Sequence, residues 1–358
     1  MKRDDEGIAQ YEAHVGRKRL AILVLLALVA LLGFTEIFVG SVSLTVDQVI
    51  SAILHRGDDP YSRIIWEQRM PRVATAIVAG AGLSMAGCVM QNNLKNPLAS
   101  PSTLGVTNAA VFGANFAIII LGAGAAAGVY ASSVTNPYIV TLLAFVFSMM
   151  TVFLIVLLSK RTSFSPPSIV LAGVALGSIF SAGTIILQYF ANDTALGTAV
   201  FWSFGDLSRV SVYELLIITV VTVVCAVYFY LMRWNYNALA NGDELAKSLG
   251  VNTSKLIALG MILASLITAV NVSFMGMIGF VGLIGPQMMR LVVGEDHRFL
   301  IPASILAGSV VMMASDLAAN MVLSPIVIPV GAVTSLLGGP LFLWLLLRKK
   351  GGASRCRY

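Results

Sequence analysis

Four stretches of this chain carry side chains whose types and spacing could do chemistry. In Arg69-Met70-Pro71-Arg72, two guanidinium groups flank a proline. Such planar forks suit carboxylates, so the pair reads either as a docking point for an acidic partner or as interfacial snorkelling. Gln91 to Val106 gathers amides around Pro97 and Pro101, the composition of an ordered turn. In Asn241 to Val251, Asp243 and Glu244 open a short helix whose Leu245, Ala246 and Leu249 form an apolar face, and Gly250 stops it. That helix could rest on lipid or fill a groove in a cytosolic partner. Gly276, Gly279, Gly282 and Gly285 precede Pro286, which makes a poor straight helix whose backbone needs protein around it.

None of these stretches is a reaction centre. His14, His55 and His297 are scattered, and none has a partner at ligand spacing. Cys88 and Cys225 fall in apolar runs and Cys356 in a basic tail, so neither a disulfide nor a metal framework is implied. The chain contains no Gly-Lys pair and therefore no phosphate-cradling loop of the Gly-x-x-x-x-Gly-Lys type. No Ser/His or paired-Asp constellation falls within an apolar run.

The elements that must position these residues follow from composition. Of 358 residues 58% are hydrophobic and 11% charged, with a mean hydropathy of +0.88. A soluble globule could not cover its surface with so little charge. That excludes a soluble enzyme, a disordered chain and a nucleic-acid binder, despite the net charge of +6. Runs poor in charge at 20–35, 73–94, 105–121, 137–159, 167–190, 211–232, 253–275, 279–292, 299–323 and 329–347 predict an all-α polytopic membrane protein of about ten spans. The piece at 279–292 is short, so it either tilts or crosses only in part.

Charge placement sets the orientation. With the N-terminus in the cytoplasm, 18 of the 23 Lys and Arg residues fall inside and only Arg56, Arg63, Arg69, Arg72 and Arg209 outside. Both termini are then cytoplasmic. The organisation is a cytoplasmic segment at 1–19, one transmembrane domain at 20–350 with a polar cytoplasmic loop at about 235–252, and a tail at 351–358.

In this order and spacing the segments resemble the FecCD-type permease subunits of ATP-driven importers for iron-chelates, heme and vitamin B12. The arginine-flanked proline of that family corresponds to Arg69 and Arg72, and its Asn-Pro-Leu-Ala turn to Asn96 through Gly105. The coupling segment corresponds to Gly242 through Gly250, and the glycine-rich signature to Gly279 through Pro286. Asp296 to Pro302 follows, and Pro329, Val330, Gly331, Thr334, Gly338, Pro340 and Phe342 close the pattern. The likeness runs from about residue 20 to 350. Three positions depart from it: Gln287 stands where His or Asn is common, Asn320 where Arg is, and Val327 where Glu is.

The resemblance implies an importer permease fold in a prokaryotic inner membrane, working as a homodimer with its pathway on the two-fold axis. Two separate cytoplasmic ATPase subunits would use ATP and Mg, no cofactor being bound by this chain, and an external binding protein would deliver cargo. Gly242, Asp243, Glu244, Leu245, Ala246, Leu249 and Gly250 would contact the ATPases, and Arg69 and Arg72 the binding protein. The fifth and tenth spans line the pathway in that family. Here they carry small, mildly polar stripes: Gly173, Gly177, Ser181, Thr184 and Gln188 on one, Gly331, Ser335 and Gly338 on the other. Such stripes also serve close helix packing. Ferric siderophore is the expected cargo, with heme or cobalamin the alternative. A secondary transporter is the competing class, but it needs ionisable groups at depth, where this chain offers only Asp316, with Glu36 nearer an outer end.

Overall fold

Backbone amides that cannot meet water must bond within their own segment, so apolar runs in lipid become helices. The computed structural model describes residues 2–39, 44–54, 60–123, 136–161, 165–323 and 326–350, and among them there is no strand, only an isolated bridge between Phe204 and Met277. The helices are α1 (Lys2–Phe38), α2 (Val46–Leu54), α3 (Pro60–Arg63), α4 (Met70–Asn93), α5 (Val106–Asn115), α6 (Pro137–Arg161), α7 (Pro166–Tyr189) and α8 (Asp193–Ser203). They continue as α9 (Val212–Leu231), α10 (Arg233–Ala240), α11 (Asp243–Ser248), α12 (Thr253–Met275), α13 (Val281–Val293), α14 (His297–Met321) and α15 (Val330–Lys350). Two π-helical stretches, Ile64–Arg69 and Phe116–Ile120, lead into α4 and extend α5.

Among the described residues seven helices are long and apolar enough to cross a membrane, and three shorter apolar ones, Val106–Ile120, Val281–Val293 and Val330–Trp344, complete the ten expected segments. At 1.5 Å per residue α13 is roughly 20 Å long, well short of the ~30 Å hydrocarbon core. The helix that carries the first span begins well before Leu20. With no proline to break it, the helix runs back through Arg17–Arg19 to Lys2. α8 lies between the apolar runs at 167–190 and 211–232, and Asn192 caps it by accepting from the Ala195 N–H.

α4 is the hub, buried along most of its length against α9, α12, α13 and α14. Small residues permit this. A Cβ on Gly80 would stand 2.4 Å from the Gly308 carbonyl oxygen, and one on Gly87 would sit 1.7 Å from that of Gly282. Where helices come this close, hydroxyls bridge them: Ser84 Oγ donates to the Ser304 carbonyl at 2.6 Å and Ser309 Oγ to that of Ile77 at 2.8 Å. Cys88 and Cys225 are buried free thiols. His14 is exposed and His297 buried; His55 and Cys356 lie outside the described residues.

Candidate functional site

At the end carrying α10 and α11, the sequence-predicted segments converge. Asp243 and Glu244 open α11 as expected, Ala246 is buried, and Leu245 and Leu249 are 48% and 65% exposed. Gly250 has φ +81°, a left-handed conformation that lets the chain reverse directly after the helix. Lys95, in the turn after α4, reaches Asp243 at 3.0 Å. Both partners are exposed, so this ion pair orients more than it stabilises. In the adjoining turn, Asn96 Oδ1 accepts from the Leu98 N–H, and Ser100 and Thr103 exchange side-chain and backbone bonds. Gln287 donates to Gln91 Oε1 and to the Pro97 carbonyl, both at 3.0 Å, and so ties α13 to this turn. The departure at Gln287 thus has a structural use.

Asn237 locks α10 to the start of α14. Its Nδ2 donates to Asp296 Oδ1 at 2.9 Å, and its Oδ1 accepts from the His297 backbone N–H at 2.8 Å. Asp296 caps α14 and pairs with Arg298 at 2.7 Å. Burial pushes the Asp296 carboxyl up, but hydrogen bonds from Arg298 and Asn237 outweigh it and hold the group down at about 2. Burial drives the phenol of Tyr236, which stacks on His297, well above its ordinary value. A polar cavity of about 260 Å³ opens beside this cluster, lined by Lys95, Asn96, Arg290, Glu295 and His297 among others. Nothing in the spacing of Asn237 announced its part; its partners lie about sixty residues away.

The opposite end holds Arg69 and Arg72, and the structure gives each an internal acceptor. Arg72 grips Asp316 in a two-pronged pair, Nε to Oδ2 at 2.9 Å and Nη2 to Oδ1 at 2.8 Å. Asn320 joins them, donating to Asp316 Oδ2 at 3.1 Å. Arg69 donates to the Ile37 carbonyl at the end of α1 and is only 8% exposed. Both line a cavity of about 370 Å³ together with Glu36, Glu67 and Asn320. The two docking candidates thus sit in a charged cluster, in which Arg72 supplies the counter-charge that the buried Asp316 carboxylate needs. Val327, the third departure, is 40% exposed.

The two stripes also meet internal partners. A Cβ on Gly173 would come 2.7 Å from Leu104 Cα, and Asn108 Nδ2 donates to the Gly177 carbonyl at 3.2 Å. Thr184 turns back on its own helix, and Gln188 donates to Asn115 Oδ1 at 3.0 Å. Gly177 and Gln188 thus seat α7 on α5, and Gly173 packs on the turn before it. Gly173, Gly177 and Ser181 also line an open groove of about 510 Å³. On α15, Gly331 packs on the Met277 and Gly205 backbone and Gly338 on Phe280, while Ser335 is exposed.

The described residues form a helical bundle around one central helix, with apolar helices of membrane-spanning length and a polar corner at one end, the architecture of a multi-pass membrane protein. A family model described as the FecCD transport family matches residues 25–348. The chain is 45% identical over 339 residues to a protein of Methanocaldococcus jannaschii provisionally named an ABC transporter permease, covering 95% of this chain and 97% of that one. It is 31% identical over 333 residues to the hemin transport system permease protein of Yersinia pestis, covering 93% and 96%. A solved structure titled as an inward-facing conformation of a transporter assigned to the metal-chelate type superposes with a TM-score of 0.80 at 30% identity, covering 91% of this chain and 98% of that one. The chain belongs to the FecCD transport family, the permease subunits of ABC importers.

Proposed function

We propose that this chain is the membrane half of a homodimeric importer that passes a metal chelate, with ferric siderophore as the first candidate, into the cytoplasm. Two cytoplasmic ATPase subunits close beneath it and an external binding protein feeds it. The observation that carries this reading is the α10–α11 corner: two exposed leucines on a short acid-led helix, held by Asn237, Lys95 and the Gly250 reversal. An exposed apolar pair on an otherwise fixed helix is what a groove in a partner takes up. The α10–α11 end is then cytoplasmic, in agreement with the distribution of Lys and Arg, and the Arg72–Asp316 end faces outward.

In this reading the binding protein meets the rim of the charged outer cluster, with Arg69 and Arg72 shaping that rim from within. Ser181 and Ser335, on open faces of α7 and α15, are the pathway candidates. Gly173 and Gly177 line the same groove as Ser181, and Thr184, Gln188, Gly331 and Gly338 set the backbone positions around these faces. The hemin and metal-chelate relatives match at nearly equal identity, so heme or cobalamin stands as the alternative cargo. The test of coupling is co-purification: Leu245→Asp with Leu249→Asp should release the ATPase subunits while leaving the permease folded. Retention of the ATPases would reject the contact. The cargo is tested by identifying the ligand that co-purifies with the cognate binding protein.

A further inference from the structure

Two cavities share a wall at the end of the bundle opposite α10 and α11. The larger is an apolar groove of about 590 Å³ between α6, α9 and α12, walled by Leu142, Phe145, Ile217, Val221, Leu266 and Val270 among others. It opens on a strongly exposed apolar face, with Tyr138, Leu142 and Ile217 at 78%, 59% and 48% exposure, which in a membrane protein meets lipid. The lining runs from Tyr138 to Phe145, from Tyr213 to Val221 and from Leu266 to Phe274. That is roughly 10–12 Å of depth along each helix at 1.5 Å per residue.

The smaller cavity, about 280 Å³, sits at the mouth, where α6 and α9 begin and α12 ends; Thr141, Glu214 and Phe274 line both. It contains one cation and one anion. Arg209 Nη1 and Nη2 donate to the Trp202 and Phe201 carbonyls at 2.9 and 2.6 Å, which fixes the guanidinium; its Nε lies 3.9 Å from Asp206 Oδ2, a long and half-exposed pairing that leaves N–H bonds on the outer side of the fork. Glu214 accepts from the Ser211 N–H with one oxygen, Oε2, as the return half of the α9 capping box.

We propose that this composite site holds one phospholipid with a primary-amine headgroup, its acyl chain in the groove, its phosphate on Arg209 and its ammonium on Glu214. The charges select the headgroup. An anionic lipid without an amine would meet Glu214 unpaired, and a quaternary ammonium has no N–H to give its carboxylate. The proposal rests on the membrane assignment alone and is independent of cargo and ATPase coupling.

The test uses the full chain, delipidated in detergent, with phosphatidylethanolamine, phosphatidylcholine or phosphatidylglycerol of matched acyl chains, and counts bound lipid by native mass spectrometry. One phosphatidylethanolamine per chain should be retained about tenfold more tightly than the other two, a difference of about 1.4 kcal/mol. Glu214→Gln keeps an acceptor for Ser211 and should abolish the preference over phosphatidylcholine. Arg209→Gln should weaken all three. Ile217→Trp fills the groove from its lipid side and should weaken all three without touching the headgroup residues, which keeps the test decisive if Arg209→Gln disturbs its turn. Equal binding of the three lipids overturns the proposal. So does unchanged retention in Ile217→Trp, or no retention at all, which would mean a protein segment covers the groove.

Discussion

Removing one member of the Arg72–Asp316 pair should cost far more than a surface charge usually does. The Asp316 side chain is 2% exposed and that of Arg72 19%, and the pair is two-pronged. In Arg72→Gln the carboxylate keeps only Asn320 as a side-chain donor among the described contacts and loses its counter-charge. Breaking a buried pair from one side costs roughly 3–5 kcal/mol. Asp316→Asn should cost a similar amount by stranding the guanidinium. The double variant should recover part of the loss, because the uncompensated charge is gone, leaving a coupling energy of roughly 1–3 kcal/mol. Arg72→Lys keeps the charge but not the planar fork and should fall between. The assay is thermal unfolding of the purified chain in detergent, where the singles should melt on the order of 5–10 °C lower. If both singles melt within about 1 °C of the parent protein, at which scale a loss of even 1 kcal/mol would show, the pair is not holding α4 to α14 and the reasoning fails. The same arithmetic bears on docking: a charge reversal at Arg72 that abolishes contact with a binding protein would first have to be shown to fold.

Further predictions concern packing and the coupling end. Gly80→Val places a side chain against the Gly308 carbonyl, 2.4 Å from its Cβ, and should destabilise by about 1–3 kcal/mol or more, read as a lower melting temperature. Asn237→Ala removes the bonds to Asp296 and His297 and should loosen the α10–α14 junction, raising hydrogen exchange there while leaving the α4–α14 core protected. Gly250→Val forces a β-branched residue to φ +81° and should cost about 1–2 kcal/mol and weaken ATPase binding. The Asp296 carboxyl sits at about 2 in the folded chain and near ~3.9 when unfolded. A depressed value contributes stability that is whole above the unfolded pKa and is lost as pH falls through the folded one. Emission from Trp234, whose ring carries Arg298 at 4.9 Å, should therefore stay constant from pH 8 to 5 and change only below about 4.

The spans were readable because their signal is local: lipid demands long uncharged runs, and the ends of α12 fall at Thr253 and Met275 as the runs suggested. The shape of the α10–α11 corner was readable for the same reason, since Asp243, Gly250 and the leucines between them are neighbours in sequence. Pairings across the bundle were not. Arg72 finds Asp316 244 residues away, and in the sequence the two belonged to different arguments, one about docking and one about ion coupling. The α7 stripe shows the limit of a small-residue pattern. Gly173 and Gly177 recur as a pathway lining would, and a glycine that lines a groove and one that admits a neighbouring backbone are identical in sequence; here both pack on the turn at Leu104 and Gly105 and also line the groove beside Ser181. α8 was missed because its eleven residues are too few and too mixed to stand out between two spans, although the Asn192 cap was a legible signal.

The central claim is that transport through this chain is powered from outside it, through the α11 corner. The direct measurement is uptake of radiolabelled chelate into liposomes containing the permease, with and without the cognate ATPase subunits, at fixed binding protein outside and ATP inside. Uptake should require the ATPases, should persist when proton and sodium gradients are collapsed, and should disappear in the Leu245→Asp, Leu249→Asp variant. Uptake driven by an ion gradient in liposomes that contain the permease alone would contradict the account.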